Sequence, residues 1–164
     1  MIVNHQDMNI NKSDINYVEI HEVNPNNLMD LLNTQKIREH LIEHELFNSE
    51  SINAWINSKK KVDATNGCKV RAIIYNHQLA GWCGIQYESG KYEVAIVIND
   101  KYWGIGKSVF NEILYWAEEL GHNELELHLL ESRPKYKFLQ KISKNVYETE
   151  IKGRKFITYQ VEVK

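Results

Sequence analysis

The residues best suited to chemistry lie in a glycine loop between a β-like run and a helical pattern. The apolar run from Val94 to Ile98 leads into residues 101–108, which contain Gly104 and Gly106, and an amphipathic helical pattern follows. Glycine lets the backbone approach an anion closely, and the first amides of a helix have no acceptor inside the helix. Because the helix dipole adds positive potential there, the segment predicts a phosphate-binding site.

Two common phosphate loops fit the spacing poorly. A Walker loop could end at Gly106-Lys107-Ser108, but Lys101 stands where its first glycine is required. A dinucleotide loop needs a third glycine where Val109 stands, and it should follow the first strand of its unit rather than a late one. The Walker match is therefore weak and the dinucleotide match fails.

The remaining pattern resembles the acyl-CoA pyrophosphate loop of the GNAT N-acetyltransferase superfamily. That loop reads Arg/Gln-x-x-Gly-x-Gly/Ala, and this chain has Lys101-x-x-Gly104-x-Gly106. Lys101 departs from the family's Arg or Gln, and the loop is two residues shorter than in many members. Residues 32–56 are loosely similar to the N-terminal region of the branch that contains the ribosomal-protein N-acetyltransferases.

A second register of the same loop is also open. Aligning on the Tyr-Trp pair gives Trp103-x-x-Gly106-x-Ser108. We prefer the first register because it keeps the apolar positions of the following helix on its inner face. The second register would place Asn111 and Glu112 on that face.

The resemblance implies acetyl-CoA as the cofactor. In the family, loop amides bind the diphosphate, and the pantetheine arm pairs with the main chain of the preceding strand, where an amide also polarises the acetyl carbonyl. Ser132 is included because it occupies the position of a family Asn ahead of a later helix. The implied cofactor-binding residues are Ile96, Val97, Ile98, Lys101, Tyr102, Trp103, Gly104, Ile105, Gly106, Lys107, Ser108 and Ser132.

Glu93 is the candidate general base. An ammonium group with a pKa near 10.4 is almost fully protonated at pH 7, so acetyl transfer to an amine requires a base. Glu93 opens the strand before the loop, where many GNAT enzymes carry a general-base Glu. A solvated glutamate at a strand end is the alternative interpretation.

Tyr136 is the candidate general acid for the departing thiolate. The family tyrosine would fall at Leu139, so this chain lacks it at the usual place. Tyr136 lies three residues earlier, on roughly the same face if the segment is helical. The alternatives are a packing role for Tyr136 and unassisted departure of the thiolate, whose pKa is near 8.5.

The elements that must hold these residues follow from the hydropathy pattern. A strand, a crossover helix and a strand around the loop make one right-handed parallel pair. We expect an α+β, GNAT-like fold: a central, mostly antiparallel mixed sheet with one parallel strand pair and helices on both faces. Residues 1–14 form a polar arm and residues 15–163 a single domain. Strands are predicted at 15–23, 68–75, 78–88, 92–98, 124–130, 146–151 and 155–163, and helices at 25–32, 35–47, from Ser49 or Ser51 onward, 104–120 and 132–142.

Composition excludes several classes of function. The chain has 164 residues and a net charge of −2, so there is no global basic field for nucleic acid or an acidic membrane. No apolar run approaches a membrane span, and the N-terminus lacks the regions of a signal peptide. We expect a cytoplasmic protein. Basic residues concentrate between 132 and 155, which suits the 3′-phosphate end of CoA as well as it suits a solvated surface.

Two further patterns are weighed and set aside. A hairpin turning at Asn76-His77 puts Cys68 opposite Ile85, with Cys83 one diagonal step away on the same face, and we expect two free thiols. Residues 40–44 match the inverted zinc-protease string His-x-x-Glu-His, but no third ligand motif follows. We therefore expect no metal site.

The sequence thus predicts an acetyl-CoA-dependent N-acetyltransferase that acts on a primary amine by direct attack in a ternary complex. The acceptor is a small-molecule or peptide amine: a protein N-terminus, a polyamine, an amino sugar or an amino-acid metabolite. A non-catalytic acyl-CoA-binding or regulatory protein with the same fold is the alternative, supported by the missing tyrosine and the shortened loop. A homodimer is compatible with either interpretation, and the oligomeric state stays open.

Overall fold

One seven-stranded sheet organises the molecule. The computed structural model describes residues 14–39, 45–133 and 135–163. Strand order is β1-β2-β3-β4-β5-β7-β6, and every neighbouring pair is antiparallel except β4 with β5. The predicted fold class is confirmed. The strands are β1 Ile15–Val18, β2 Lys69–Tyr75, β3 Gln78–Glu88, β4 Lys91–Ile98, β5 Glu124–Leu130, β6 Ser143–Ile151 and β7 Arg154–Glu162.

Helices cover both faces of the sheet. One core packs α1, α2 and α3 against one face, and the other packs α4 and α5 against the opposite face. Short 3-10 helices occur at Ile20–Glu22 and Asp100–Ile105. Among the described residues, every helix is too short or too polar to cross a bilayer. The helices are α1 Pro25–Leu32, α2 Gln35–Glu39, α3 Ser49–Asp63, α4 Gly106–Glu119 and α5 Lys137–Ile142.

Local side-chain bonds set several of these boundaries. The Asn24 side chain accepts from the Asn26 amide and α1 begins at Pro25, as predicted. Asn48, rather than a serine, caps α3. The helix predicted to reach Phe47 does not do so, because the Phe47 backbone is bonded to the Asn33 side chain through both its amide and its carbonyl. Residues 40–44, with the His-x-x-Glu-His string, lie outside the described residues.

A bulge shifts the β2–β3 register. The shift lies between Ile73 and Ile74, so Arg71 pairs with Cys83, and Lys69 rather than Cys68 pairs with Ile85. The prediction that both cysteines share a face is therefore wrong. Cys83 packs in the core beside α4, and Cys68 lies on the opposite face by alternation. Both are buried free thiols.

The segment after β5 is helical over a shorter length than predicted. The Glu131 amide bonds to the Lys155 carbonyl, and the Arg133 amide bonds to the Leu130 carbonyl, so the chain forms a turn after β5 where the helix was expected to begin. Ser132 lies exposed in the following turn. Tyr136 has extended dihedral angles and precedes α5. The predictions that this helix begins at residue 132 and that Tyr136 lies on it are wrong.

Candidate active site

A cavity of about 500 Å³ opens where β4 and β5 separate. Within the described chain, these two parallel strands share a single register pair, Glu93 with Glu126. Beyond that pair, Val94–Ile98 and Leu127–Leu129 line the cavity from opposite sides. Because parallel strands run in the same direction, the opening lies toward the carboxyl ends of both, where α/β sheets bind ligands.

The cavity edge of β4 offers unpaired backbone groups. β3 pairs with β4 from Glu88–Lys91 to Gly81–Ile98. In such an antiparallel pair, alternate residues direct their amides and carbonyls to the other side of the strand. Past Glu93 no described strand takes up those groups. The predicted residues Ile96, Val97 and Ile98 therefore lie where an extended ligand arm could complete the ladder.

The glycine loop lies at the same end of the sheet. It forms the 3-10 helix Asp100–Ile105, and α4 then begins at Gly106, two residues later than predicted. Ile105 is the N-cap residue and supplies no side-chain cap to the first amides of α4, which have no acceptor within the helix itself. Gly104 and Gly106 are buried, and Lys107 is exposed.

The beginning of the loop is less available to a ligand than its end. The Lys101 amide donates to Asn99 Oδ1 at 3.2 Å, and the Tyr102 amide donates to the Asn99 carbonyl at 2.9 Å. An anion would therefore contact the amides further along, up to Ser108. On α4 itself Asn111 is exposed and Glu112 is half-buried.

Glu93 lies within ion-pair distance of a histidine on the neighbouring strand. His128 Nε2 lies 3.3 Å from Glu93 Oε2 and 3.7 Å from Glu126 Oε1. His128 Nδ1 lies 2.7 Å from the Thr158 hydroxyl, which is 2.6 Å from the Thr149 hydroxyl. Glu93 and His128 line the cavity. The arrangement is a chain of proton-carrying groups that ends in a carboxylate facing the cavity.

Glu126 belongs to the same cluster of polar side chains. It is only 9% exposed and accepts from Tyr147 Oη at 3.1 Å and Gln160 Nε2 at 3.3 Å. Proximity to Glu126 and burial raise the pKa of Tyr147, with burial the larger cause. The described residues contain no group of three or more His, Cys, Asp or Glu side chains that could hold a metal ion.

Solved structures resemble this chain in fold. A scan of protein-family models and a search of curated proteins give no match to the sequence. A GNAT-family acetyltransferase from Streptococcus pneumoniae has a TM-score of 0.61 at 19% identity, over 90% of this chain and 98% of that one. Campylobacter jejuni N-acetyltransferase PseH, in complex with acetyl coenzyme A, scores 0.57 at 18% identity over 92% and 99%. The microcin C7 self-immunity acetyltransferase MccE, in complex with acetyl-CoA and AMP, scores 0.68 at 14% identity over 92% and 93%.

The chain has the GNAT fold. The mixed sheet with its one parallel pair, the helices on both faces and the matches over nine-tenths of the chain agree. At these sequence identities the comparisons establish the fold alone.

Within this GNAT fold, Tyr136 lies apart from Glu93. It is 7% exposed and belongs to the core beneath α4 and α5, on the sheet face opposite Glu93. Its hydroxyl accepts from Arg133 Nη2 at 3.5 Å, and Arg133 lines the cavity. Leu139, at the family tyrosine position, is fully buried. The structure thus brings Glu93 together with Ile96–Ile98 at the cavity, whereas Tyr136 lies on the opposite face and contacts the cavity-lining residue Arg133.

Sequence reasoning missed His128 as a functional residue. Along β5 the polar residues Glu124, Glu126 and His128 alternate with leucines. Such alternation predicts that the polar residues lie on a solvated face of the sheet. The available signal was the pairing of β5 with β7, which places Thr158 beside His128 and Gln160 beside Glu126. Two of these polar residues, Glu126 and Thr158, are buried, and buried polar groups are less common than exposed ones, so this face is a candidate site.

Proposed function

We propose that this chain is an acetyl-CoA-dependent N-acetyltransferase acting on a primary amine by direct attack within a ternary complex. The observation that carries the proposal is the separation of β4 from β5 beyond Glu93. It leaves a strand edge unpaired beside a cavity that holds a carboxylate, next to a helix N-terminus without a side-chain cap. Acetyl-CoA needs all three features, because it combines a diphosphate, an amide-bearing arm and a thioester.

The chain's own groups would hold acetyl-CoA along this edge. Amides at the end of the loop and in the first turn of α4, near Gly106, would bind the diphosphate. The free main-chain groups of Ile96–Ile98 would bind the arm, and one amide there would polarise the carbonyl. When bound, acetyl-CoA supplies a thioester carbonyl that a neutral amine attacks, with release of the CoA thiol.

Glu93 would accept the proton from the acceptor ammonium, directly or through one water. Its contact with His128 fixes the carboxylate at the cavity wall, and His128 is fixed in turn by Thr158. Tyr136, in contact with Arg133, stays our candidate for protonating the thiolate. A thiol with a pKa near 8.5 can also leave without that help.

Several properties of the protein follow as proposals from this function. The acceptor is a small molecule or a peptide amine, without nucleic acid or membrane as a partner. We place the protein in the cytoplasm and treat residues 15–163 as one domain after an N-terminal arm. The relation to the ribosomal-protein branch and a homodimer stay predictions.

A non-catalytic CoA-binding protein is the second candidate. The observation in its favour is Leu139, which is fully buried at the position of the family tyrosine. Such a protein would use the same strand edge and loop, but no amine would be acetylated. One experiment separates the two functions.

The test combines CoA calorimetry with thiol release over a panel of primary amines. We expect CoA binding, and thiol release matched by acetylated amine. Glu93→Gln should lower kcat by about 10²–10⁴-fold and leave CoA affinity unchanged. Glu118→Gln, on the exposed side of α4, is the matched control and should behave as the unaltered protein. Binding without acetylation of any amine would favour the second candidate, and absence of CoA binding would refute both.

A further inference from the structure

A lysine ammonium group lies in the cavity beside the proposed base. Lys59 extends from α3, and its Nζ donates to Gln86 Oε1 at 2.5 Å. The same nitrogen lies 4.6 Å from the centroid of the Trp82 ring and 5.6 Å from that of Trp55. Lys59, Gln86 and Trp82 all line the cavity. Among the described residues, these direct contacts of the ammonium group are with neutral side chains.

No carboxylate within the described residues lies within 4 Å of this ammonium group. Gln86 accepts one of its three N–H groups, which leaves two for a ligand. Burial lowers the pKa of Lys59, and the more distant charges of Glu93 and Glu88 oppose that shift. Taking a cation out of water is expensive unless an anion compensates for it. An anionic ligand would provide that compensation.

A second donor next to the ammonium group also has no partner. Trp82 is 7% exposed, and its indole nitrogen Nε1 is buried without a hydrogen-bond acceptor among the described residues. Buried indole N–H groups usually find an acceptor. The same ring lies under the Lys59 ammonium and lines the cavity. The Nε1 atom itself has less than 1 Å² of exposed surface, so a ligand at this wall meets the ring of Trp82 and the ammonium group of Lys59 rather than the indole N–H group.

The ammonium group and the base share one face of the sheet. Gln86 on β3 is directly opposite Glu93 on β4, and residues paired in this way have Cβ atoms about 5 Å apart. The ammonium held by Gln86 is therefore close to the Glu93 carboxylate. A molecule whose amine and anionic group are only a few bonds apart can engage both. A long polyamine or a chain N-terminus without a nearby anion has no group to place against Lys59.

We propose that Lys59, positioned by Gln86 and the Trp82 ring, binds the carboxylate of the acceptor, so that the acceptor is a short amino carboxylate with its amine at Glu93. This inference rests on the proposed acetyltransferase function and narrows its acceptor to zwitterions of the amino-acid type. The opposite charges of Lys59 and Glu93 orient the molecule, because its carboxylate is attracted to one and its ammonium to the other.

The test compares amino acids with their carboxamides. The probes are the common L-amino acids and the matching amides, each used for calorimetry on the CoA-loaded protein and for acetylation. We expect a clear preference for the acids. Lys59→Met keeps the aliphatic packing on both tryptophans. It should raise the Kd of the acids by about 10- to 150-fold, the range for a hydrogen bond to a charged group. The Kd of the amides and the KM for acetyl-CoA should not change.

Matched variants separate charge from folding. Lys60→Met alters the next residue on α3, whose side chain is exposed, and should keep the preference for acids. Trp82→Phe replaces the indole by a smaller ring and should weaken the binding of acids and amides alike, because it alters the cavity wall and not its charge. Thermal unfolding of each variant shows that the fold is retained.

Several results would overturn the inference. Equal binding of acids and amides would do so even if amines are acetylated, in which case the acetyltransferase function stands. Loss of CoA binding would instead refute the function, and calorimetry with the amino-acid pairs would still judge the Lys59 site. Acetylation of Lys59 itself, detected by intact mass without added acceptor, would identify it as an acceptor rather than a carboxylate ligand.

Discussion

At the scale of single residues, His128 has different partners on its two ring nitrogens. Nε2 faces the carboxylates of Glu93 and Glu126, which only accept, so Nε2 carries a proton. In the neutral ring Nδ1 then accepts from the Thr158 hydroxyl, which in turn accepts from Thr149. The tautomer that supports Glu93 therefore depends on a hydroxyl that makes no contact with the acceptor.

Removing that hydroxyl should impair turnover more than binding. Thr158 is fully buried, and Thr158→Val removes its hydroxyl group. His128 Nδ1 and the Thr149 hydroxyl then lose the partner that they share. We expect an unfolding free energy lower by about 1–3 kcal/mol and a kcat lower by roughly tenfold, within the range for general acid–base effects. The KM for acetyl-CoA should be unchanged, and Thr158→Ser should restore kcat because it restores the hydroxyl.

Thr65→Val is the matched control, because its hydroxyl bonds to the Lys61 carbonyl at an exposed helix end. A purely structural role for Thr158 would give equal losses in stability for Val and Ser, or a loss of acetyl-CoA binding together with kcat. Either result would remove His128 from the proposed proton chain.

At the scale of secondary-structure elements, one glycine lets β4 approach β3. A Cβ at Gly81 would lie 1.9 Å from the Val97 carbonyl oxygen and 2.9 Å from Ile98 Cα. Both contacts are with backbone, which cannot rotate away. Because β4 forms the cavity wall and passes so close to position 81, that position must be glycine.

Gly81→Ala should therefore damage the cavity as well as stability. We expect an unfolding free energy lower by about 1–3 kcal/mol or more. CoA affinity should fall by about tenfold or more, because β4 must move at Val97 and Ile98. Chemical denaturation and calorimetry with CoA measure the two effects.

Gly90→Ala is the comparison within the same hairpin. Gly90 has a φ of +82° and nothing within 4 Å of a new Cβ, so this change adds only backbone strain of about 1–2 kcal/mol. CoA affinity should be unaffected. Equal CoA binding by both variants would show that the close approach of β3 and β4 does not shape the site.

Most elements were predictable from sequence because their signals are local. The limits of β3 and β5 follow from alternation and turns, and α1 follows from Asn24 and Pro25. The errors have non-local causes. The bulge between Ile73 and Ile74 changes which residues of β2 and β3 face each other, and pairing with β7 delays α5. Neither effect leaves a mark in the sequence of the segment it changes.

At the scale of the whole molecule, the sheet is covered unequally. The core beneath α1, α2 and α3 draws its strand residues from β2, β3 and β4. On the same face of β5 and β7 stand Glu126, His128 and Thr158, which bond to one another and to β6. Alternation along a strand reveals which residues share a face but not what lies above it. The proposed base was therefore predictable from resemblance, whereas its histidine partner required the packing of the whole sheet.

The whole-molecule prediction concerns what ligand binding does to the free edge of β4. A ligand that binds only the folded state at 100 times its Kd adds about 2.7 kcal/mol of stability. For a chain of this length that raises Tm by about 5–10 °C. Acetyl-CoA and CoA should both give this shift in thermal unfolding.

Hydrogen exchange should locate the effect. Alternate amides of β4 past Glu93 have no strand partner, so they should exchange readily in the free protein and slow when CoA occupies the edge. Peptides covering residues 94–108 should gain protection, whereas β2, which is paired on both sides by β1 and β3, should not change. Protection confined to β6 and β7 would place CoA elsewhere. The separated strands would then form an acceptor pocket without a thioester beside it, and the assignment of Glu93 as base would fail with it.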